Sequence, residues 1–555
     1  MKEYQTSRLS LKACARICKK TNKVLFESEY SDRDILKNAG CQWDVKEKTW
    51  YLPFPIYSSL RELEEKGLVF FNELKKIYLD MHYKEDLSLK VQRAGYDDLP
   101  VLDVGIKLYL HQNKTLHLGK VRDSYADLSD CGTGKTISTL AVINDHLKNN
   151  LKFTTLVICP KSIILSGWVE DCNKAFPNMS IQPVIGSFNK KVEQFSTESN
   201  IYVTNYETLN QDFDFLSAGI DMIVFDEAVR LKNPYAKWTK KAMKIVNHVK
   251  HRVIISGLIT PNNLMEVFAP FSIVEPGILG KSFYQFRDKY FTPNPWSYMN
   301  KEFVPKKKSI EQITKKIERL VIRHKKSDCL DLPEKIHTCK YIPMEKEQRK
   351  VYDVMLKDMI VELQDEMVTA VTKGVVLQKL SQITSGFLYK KDSEAFYFKF
   401  ATAKLKELKN LLEGELIDEQ VIIFCTYKGE ISLFREHFPQ SSFIYGGQSS
   451  DEQEREIRDF KNGDKKLLFA NIKAGKYGLT FTNCSYVIYY SLSYSLDDMY
   501  QSEERIHRIG QEKTCNYIYL MADKSTDKRI YNSIRKKQGL NDMVYKLIED
   551  YNEGE

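Results

Sequence analysis

Along the middle of the chain, short runs of β-branched and aromatic residues alternate with longer amphipathic stretches, the signature of strands and helices in a parallel sheet. A first series has apolar runs at 155–159, 201–204, 222–225 and 253–255, each closed by polar, Pro or Gly-containing turns. A second series follows at 421–424, 443–445, 467–469 and 486–489. The repetition predicts two α/β lobes joined by a helical, basic connection at 270–340, which carries Lys306, Lys307, Lys308, Lys325 and Lys326. Ahead of them, residues 21–85 read as a small α+β unit. Its centre, 41–53 (Cys-Gln-Trp-Asp-Val-Lys-Glu-Lys-Thr-Trp-Tyr-Leu-Pro), predicts a hairpin of two aromatic strands around a charged turn. Residues 56–78 then place Leu60, Leu63, Leu68 and Leu74 at helical spacing, with Gly67 expected to split the helix. The expected division is a tail at 1–20, the small unit at 21–85, a first lobe at 86–340, a second at 341–547 and a tail at 548–555.

Composition narrows the class. A chain of 555 residues with 43% hydrophobic and 28% charged residues and a mean hydropathy of −0.41 can bury several cores. That excludes a disulfide-stapled miniprotein and global disorder. No uncharged apolar run reaches the ~20 residues that span a bilayer, and the first twenty residues lack a signal-peptide core. A protein of the cytoplasm, making no contact with membrane, is expected. The net charge of +9 would help hold a polyanion if gathered on one face. Eleven scattered cysteines read as free thiols of a reducing compartment, because Cys14 and Cys18 have no partner pair at zinc-finger spacing.

The chemistry is concentrated in two places. At 130–136 the chain reads Asp-Cys-Gly-Thr-Gly-Lys-Thr. Gly132, Thr133 and Gly134 allow backbone N–H groups to curl around a phosphate at a helix start. Lys135 would neutralise the β and γ phosphates and Thr136 would offer its hydroxyl to Mg²⁺. The helical periodicity of 137–147 supplies the dipole behind the loop. About ninety residues on, the run at 222–225 delivers Asp226 and Glu227 at the carboxyl end of a strand, where open α/β sheets bind ligands. Asp226 would hold the Mg²⁺, and Glu227 would orient and deprotonate an attacking water. A chance Gly-rich turn and a solvated acidic turn are the plain alternatives, and the co-occurrence of the two motifs weighs against both.

Residues 226–233 (Asp-Glu-Ala-Val-Arg-Leu-Lys-Asn) and 501–511 (Gln-Ser-Glu-Glu-Arg-Ile-His-Arg-Ile-Gly-Gln) resemble motifs II and VI of the Swi/Snf-type ATPases, a branch of the superfamily two helicases. The resemblance covers most of the chain from about 107 to 547. It implies an α/β fold of two RecA-like parallel-sheet lobes in tandem, with a helical insertion or brace. It also implies an ATP hydrolase that uses ATP and Mg²⁺. Gln112 would lie near the base, and Gly478 and Gln501 would join the nucleotide site. Lys161 and Ser162 (with Trp168 nearby), Thr204 and Asn205, Thr426, and Lys473 and Lys476 would face a nucleic-acid backbone. Arg505 and Arg508 are three apart, so on a helix both guanidinium groups would point one way, across a cleft toward the phosphate loop. Such an arginine finger is worth about 10³ to 10⁵ in rate, which would make hydrolysis wait for closure of the lobes.

Three positions depart from the family pattern. Val229 stands where His is usual. The third motif reads 256–263 as Ser-Gly-Leu-Ile-Thr-Pro-Asn-Asn, with Leu258 where Thr is usual, and Lys476 replaces a glycine. Val229 and Leu258 are expected to pack near one another, replacing a hydrogen bond with apolar contact. The amino-terminal unit resembles the HARP-type modules of annealing helicases through Trp43, Asp44, Lys48 and Trp50 to Pro53. Lys46 and Lys48 would suit DNA, while Trp43 and Trp50 are expected in the core. The expected function is an ATP-driven translocase on duplex DNA that remodels branched or protein-bound DNA by rewinding or fork regression. The alternatives are a strand-separating DNA or RNA helicase, and a weakly catalytic switch that binds nucleic acid or RNA polymerase. The expected partners are duplex or branched DNA, single strands at the amino-terminal unit, and a replication, recombination or transcription protein. A monomer is expected, and the compact length suggests a bacterial or phage source.

Overall fold

The computed structural model describes residues 14–18, 23–52, 55–260, 262–294, 302–365, 370–389, 395–397, 403–475 and 480–553. Two parallel sheets dominate it. The first has seven strands in the order Val321–Ile322, Ser124–Asp127, His251–Ile255, Met222–Asp226, Thr155–Cys159, Ile201–Asn205 and Ile181–Pro183. The second has six, in the order Lys335–Ile342, Cys515–Ala522, Tyr486–Tyr489, Val421–Cys425, Leu467–Asn471 and Ser442–Ile444. The central strands at 155–159, 222–226 and 421–425 are buried at every position, because helices cover both faces of each sheet. That burial is why the sequence shows continuous apolar runs there instead of alternation. Successive residues serve opposite sides: Leu156 and Ile158 join one core of the first lobe, Val157 and Cys159 the other. Ile422 with Phe424 and Val421 with Ile423 divide the same way in the second lobe.

The sequence expectation missed strands that carry too few β-branched residues. Ser124–Asp127, which leads into the phosphate loop, is Ser-Tyr-Ala-Asp. Lys335–Ile342 is an edge strand of mostly exposed and half-exposed residues. The connection between the lobes is less helical than expected. Helices Phe268–Val274, Phe283–Tyr290 and Ser309–Ile317 share it with an antiparallel pair, Phe291–Pro293 and Phe303–Pro305. Among the described residues, no helix is long and apolar enough to cross a membrane.

Three expected boundaries are corrected. Residues 1–20 are not all tail, since Cys14–Ile17 is a strand that pairs antiparallel with Val24–Glu27 and parallel with Val69–Phe70. Its short Cys-Ala-Arg-Ile run, followed by Lys19 and Lys20, carries little strand signal, yet Ala15 is buried in the core of the small unit. The boundary at 85 falls inside the continuous helix Asn72–Arg93, whose Val91 packs into the first lobe. At the carboxyl end, the helix Thr526–Glu553 runs through the expected boundary at 548. It leaves the second sheet and ends on the first lobe, where Val544, Tyr545 and Ile548, spaced to share one helix face, are buried in that lobe's core.

The small unit is a five-stranded sheet that includes the expected hairpin, Gln42–Asp44 paired with Thr49–Leu52, with Trp43 opposite Trp50. The two rings meet edge to face at 5.5 Å. Trp50 packs against the unit's core, but Trp43 is 48% exposed, so the expectation that both are core holds for Trp50 alone. Gly67, at φ +97°, does separate helix Tyr57–Glu65 from helix Asn72–Arg93. The unit is fastened to the first lobe by a buried ion network. Glu85 pairs with Arg122 at 2.7 Å and with Arg319 at 3.1 Å, Arg319 also binds Glu275, and Ser58 donates to Glu275. Breaking such a network by removing one partner strands a buried charge. We expect Glu85→Ala to lower stability by about 3 kcal/mol, read as a shift in the urea midpoint at unchanged slope.

Candidate nucleotide site between the lobes

The strand Ser124–Asp127 runs into a loop that turns at Gly132 (φ +87°) and Gly134 (φ +78°) before helix Lys135–Asn149 begins. Both glycines use the left-handed region, which side chains disfavour. A Cβ on Gly134 would also lie 2.3 Å from Gln112 Nε2. Gln112 is buried behind the loop, accepting from Tyr109 N–H at 3.0 Å and donating to the Gly134 carbonyl at 3.4 Å. Lys135 Nζ donates to the carbonyls of Ser129 at 2.7 Å and Asp130 at 3.0 Å, and Thr133 Oγ1 donates to the Asp130 carbonyl at 2.9 Å. Burial opposes the charge on Lys135, but the surrounding Cys131, Asp127, Glu227 and Asp226 outweigh it and raise its pKa. Thr136 follows in the first turn of the helix.

Asp226 closes the strand Met222–Asp226, which His251–Ile255 separates from Ser124–Asp127 in the sheet. Its Oδ2 accepts from Trp168 Nε1 at 2.9 Å, its Oδ1 from Glu227 N–H at 2.8 Å, and its carbonyl from Tyr206 OH at 2.7 Å. Glu227 adopts φ +54°, a left-handed conformation that a non-glycine residue holds only when its surroundings demand it. Its carboxyl is pushed up to about 7 by burial, then by Asp226 and Asp497, against the pull of Lys135 and Arg505. A carboxyl so tuned is suited to take a proton near neutral pH.

The second lobe closes over this surface. Helix Leu496–Glu503 brings Tyr500 against Gly257, where a Cβ would sit 3.1 Å from the Tyr500 ring and 2.8 Å from Cys131 Sγ. Arg505 and Arg508 follow in turns beyond the helix, so the expectation of a helical pair is corrected. The chain leaves the helix at Glu504, and the turns still direct both side chains into the seam. Arg505 is buried, donates from Nε to the Gln501 carbonyl at 2.9 Å, and has its pKa lowered to about 10 by burial and then by Arg508. Arg508 donates to Thr480 Oγ1 at 2.7 Å, and its Cγ lies 3.7 Å from the place a Gly132 Cβ would take. Gln501 Nε2 donates to Asp497 Oδ1 at 3.0 Å.

The groups present suit a nucleoside triphosphate with Mg²⁺. Among the described residues, Arg508 Nε and Gln501 Oε1 are buried in the seam without a hydrogen-bond partner, one a donor for an anion and the other an acceptor. The Thr136 hydroxyl and Asp226 carboxylate are the hard oxygens that Mg²⁺ takes, one or two from protein and the rest from phosphate and water. No group of three or more His, Cys, Asp or Glu among the described residues could hold a metal unaided. A cavity of about 820 Å³ lies instead at the opposite, amino ends of the first lobe's strands, lined by Arg122, Arg319, Glu85 and Glu275.

The residues expected to face nucleic acid divide. Lys161 and Ser162 are exposed after the strand Thr155–Cys159, and Lys473 is exposed after Leu467–Asn471. Asn205 is half-buried and donates to Glu207 at 2.6 Å, and Thr426 has a buried Oγ1 without a partner. Thr204 is corrected: it is fully buried and its hydroxyl donates to the Val184 carbonyl at 2.8 Å. Trp168 is likewise fully buried and serves Asp226 instead of a surface. Lys476 and Gly478 lie outside the described residues.

Val229 and Leu258 line one small cavity together with Ser256, Lys232 and Glu266, and Leu258 also reaches the core of the second lobe. The loop carrying Leu258 is held from an unforeseen side. Asn541 Oδ1, on the terminal helix, accepts from Ile259 N–H at 3.1 Å and Thr260 N–H at 3.3 Å, and Tyr545 OH donates to the Gly257 carbonyl at 3.1 Å. Sequence reasoning also missed Asp127, a buried carboxylate whose pKa is raised by burial against the pull of Lys135. A polar residue ending a weak strand gives little signal, and Asn541 shows itself only as a polar position on an otherwise apolar helix face.

Comparison with known proteins finds an SNF2-related domain at 128–386 and a helicase conserved C-terminal domain at 403–510. An uncharacterized ATP-dependent helicase of Mycoplasma genitalium, MG018, is 25% identical over 436 residues, covering 76% of this chain and 40% of its own. Protein p41 of Acyrthosiphon pisum secondary endosymbiont phage 1 is 24% identical over 441 residues, 75% of this chain and 93% of its own. The SWI/SNF-related matrix-associated actin-dependent regulator of chromatin subfamily A-like protein 1 of Xenopus tropicalis is 24% identical over 504 residues. That last alignment covers 88% of this chain, and so reaches into the amino-terminal unit, but 48% of the frog protein. The chain thus spans less than half the length of two of these relatives.

Because Val229 and Leu258 share a cavity, their substitutions should couple. In a double-mutant cycle on unfolding free energy, Val229→His and Leu258→Thr should depart from additivity by about 0.5 to 3 kcal/mol, whereas agreement within about 0.3 kcal/mol would mean that the two sites act independently.

Proposed function

The chain belongs to the Swi/Snf-type ATPases of helicase superfamily two, and on that premise we propose that it is a DNA-dependent ATP hydrolase that translocates on duplex DNA and remodels branched or protein-bound DNA. The observation that carries this reading is the burial of Arg505 and the approach of Arg508 to the phosphate loop from the other lobe. Lys135 would exchange the carbonyls of Ser129 and Asp130 for phosphate oxygens, and Gly132, Thr133 and Gly134 would present their N–H groups. Thr136 and Asp226 would hold Mg²⁺, which when bound neutralises charge on the transferred phosphoryl group. Trp168 fixes the Asp226 carboxylate, leaving Glu227 to accept the proton of the attacking water. Gln112, Gln501 and Gly478 complete the nucleotide side. Arg505 and Arg508 would stabilise the charge that develops on the terminal phosphate, which ties hydrolysis to lobe closure.

The exposed Lys161, Ser162 and Lys473 lie beyond strand ends of both sheets, which supports a DNA backbone laid across the two lobes. Asn205, Thr426 and Lys476 would extend the same track. If DNA bridges the lobes it favours closure, and product release reopens the seam, giving a stepping cycle. At the amino-terminal unit, the exposed Trp43 beside the hairpin turn that carries Lys46 and Lys48 supports stacking on unpaired bases, in the manner of a HARP-like module.

ATP turnover measured with single-stranded, duplex, forked and Holliday-type DNA tests this reading. Duplex or branched DNA should stimulate most, and triplex displacement without strand displacement should follow; strand displacement alone would favour an unwinding helicase. Lys135→Ala should abolish turnover while DNA binding persists, and Arg508→Ala should cost about 10³ in kcat or more. DNA affinity should fall steeply with salt, as expected when several phosphates are contacted.

A further inference from the structure

Glu504 immediately precedes Arg505, and it is the carboxylate on which the two ends of the interlobe connector meet. On one side, Lys326 Nζ pairs with Glu504 and donates to the His507 carbonyl at 2.7 Å. On the other, Lys335 Nζ pairs with the second Glu504 oxygen at 2.6 Å. The side chains of Lys326 and Glu504 are 7% and 3% exposed, so this is an ion pair removed from water. His507 adds a third tie, its Nε2 lying 2.9 Å from the Pro333 carbonyl within the connector.

The two lysines belong to different bodies. Lys326 is anchored to the phosphate loop: its own N–H donates to Asp130 Oδ2 at 3.0 Å, Asp130 N–H donates to the His324 carbonyl at 3.0 Å, and Leu128 N–H donates to the Ile322 carbonyl at 2.9 Å. Its ammonium lies 3.4 Å from the position a Gly132 Cβ would occupy, on the same face as Arg508. Lys335 begins the edge strand of the second sheet, paired along Cys515–Ala522. Residues 327–334 and the helix Thr526–Glu553, which ends in the first lobe's core, are therefore two connections that a swing of the lobes must accommodate. The Lys335 to Glu504 bond lies within the second lobe and survives any swing, whereas the Lys326 to Glu504 bond crosses the seam and must break.

We propose that Lys326 and Glu504 form an electrostatic staple across the interlobe hinge, with Lys326 a positioning residue that sets the Arg505 and Arg508 turn in register with the phosphate loop. Opening the seam gives up the attraction of the closely apposed pair and the Lys326 bond to the His507 carbonyl; in the staple these losses exceed the hydration that the ammonium regains, which biases the lobes toward the closed arrangement. Lys335 stays with Glu504 on the second lobe's side of the seam. Burial alone would raise the Glu504 pKa, but Lys335 and Lys326 together hold it down to about 2, while burial lowers the Lys326 pKa against the pull of Glu504. The inference rests on the motor reading only for the catalytic meaning of closure, because the contact itself exists independently of turnover.

The test compares the two lysines in the full-length chain. Dyes placed through unnatural amino acids at the exposed Leu151 in the first lobe and Ile417 in the second report the interlobe distance by single-molecule energy transfer. Lys326→Met should reduce the closed-to-open ratio about tenfold or more, lower kcat and raise the DNA concentration needed for half-maximal turnover, while Lys326→Arg should retain the closed population. Lys335→Met removes the same charge from Glu504 and should leave the distance distribution close to that of the parent. Glu504→Gln, nearly isosteric, should open the lobes as Lys326→Met does and serves if that variant does not fold. An unchanged distribution in Lys326→Met or Glu504→Gln, or equal opening in Lys335→Met, overturns the staple. Absence of ATP hydrolysis in the parent chain would sink the motor reading and leave the distance result standing.

Discussion

Arg505 is buried in the seam between two parallel sheets with Arg508 beside it, within electrostatic reach of Glu227 and the phosphate loop, and this placement of charge away from water constrains the rest of the molecule. Neither lobe could carry that burden alone. A guanidinium buried by one domain without an acceptor would cost several kcal/mol, and carboxylates pushed upward by burial would cost a comparable amount. Facing each other across the seam, the two sets partly compensate, and the arrangement leaves the donors and acceptors a triphosphate needs. The left-handed Glu227 and the positive-φ glycines at 132 and 134 are the backbone cost of aiming these groups at one point.

The sequence made the buried centre of this design legible. Central strands of a doubly covered sheet are buried at every position and mostly apolar, so 155–159, 222–226 and 421–425 stand out in the chain, and the loops after them inherit their placement. Residues 130–136, Asp226, Glu227, Arg505 and Arg508 stood out in the chain by residue type and spacing, and the structure brings them together at one seam. Thr204 was misread because a strand-end position says nothing of which way a side chain faces. Here the pleat turns Thr204 inward and leaves its neighbour Asn205 only half-buried. The edges were less legible. Ser124–Asp127 is polar at both ends, and Lys335–Ile342 is an edge strand whose exposed positions dilute its pattern.

What the sequence hid altogether are contacts between parts distant in the chain. Asn541 and Tyr545 hold the loop of Gly257 to Thr260 from nearly three hundred residues away, and Glu85 ties the amino-terminal unit to Arg319. Such pairs have no periodicity and no fixed spacing. They are fixed by tertiary geometry, and each is a polar residue buried only because another element supplies its partner. Val229 belongs to the same level of organisation: its surroundings depend on Leu258 and Ser256 lining the same cavity.

The terminal helix gives the chain a dependence on the order of its synthesis. Val544, Tyr545 and Ile548 complete a core whose other members end at Val321, so the first lobe leaves the ribosome with an apolar face still uncovered. At ~5 to 20 residues per second, roughly ten to forty-five seconds of translation separate Val321 from Ile548. During that interval the nascent first lobe exposes a hydrophobic surface that the helix Thr526–Glu553 later covers. The turns that carry Val544, Tyr545 and Ile548 therefore complete a core whose other members are made more than two hundred residues earlier.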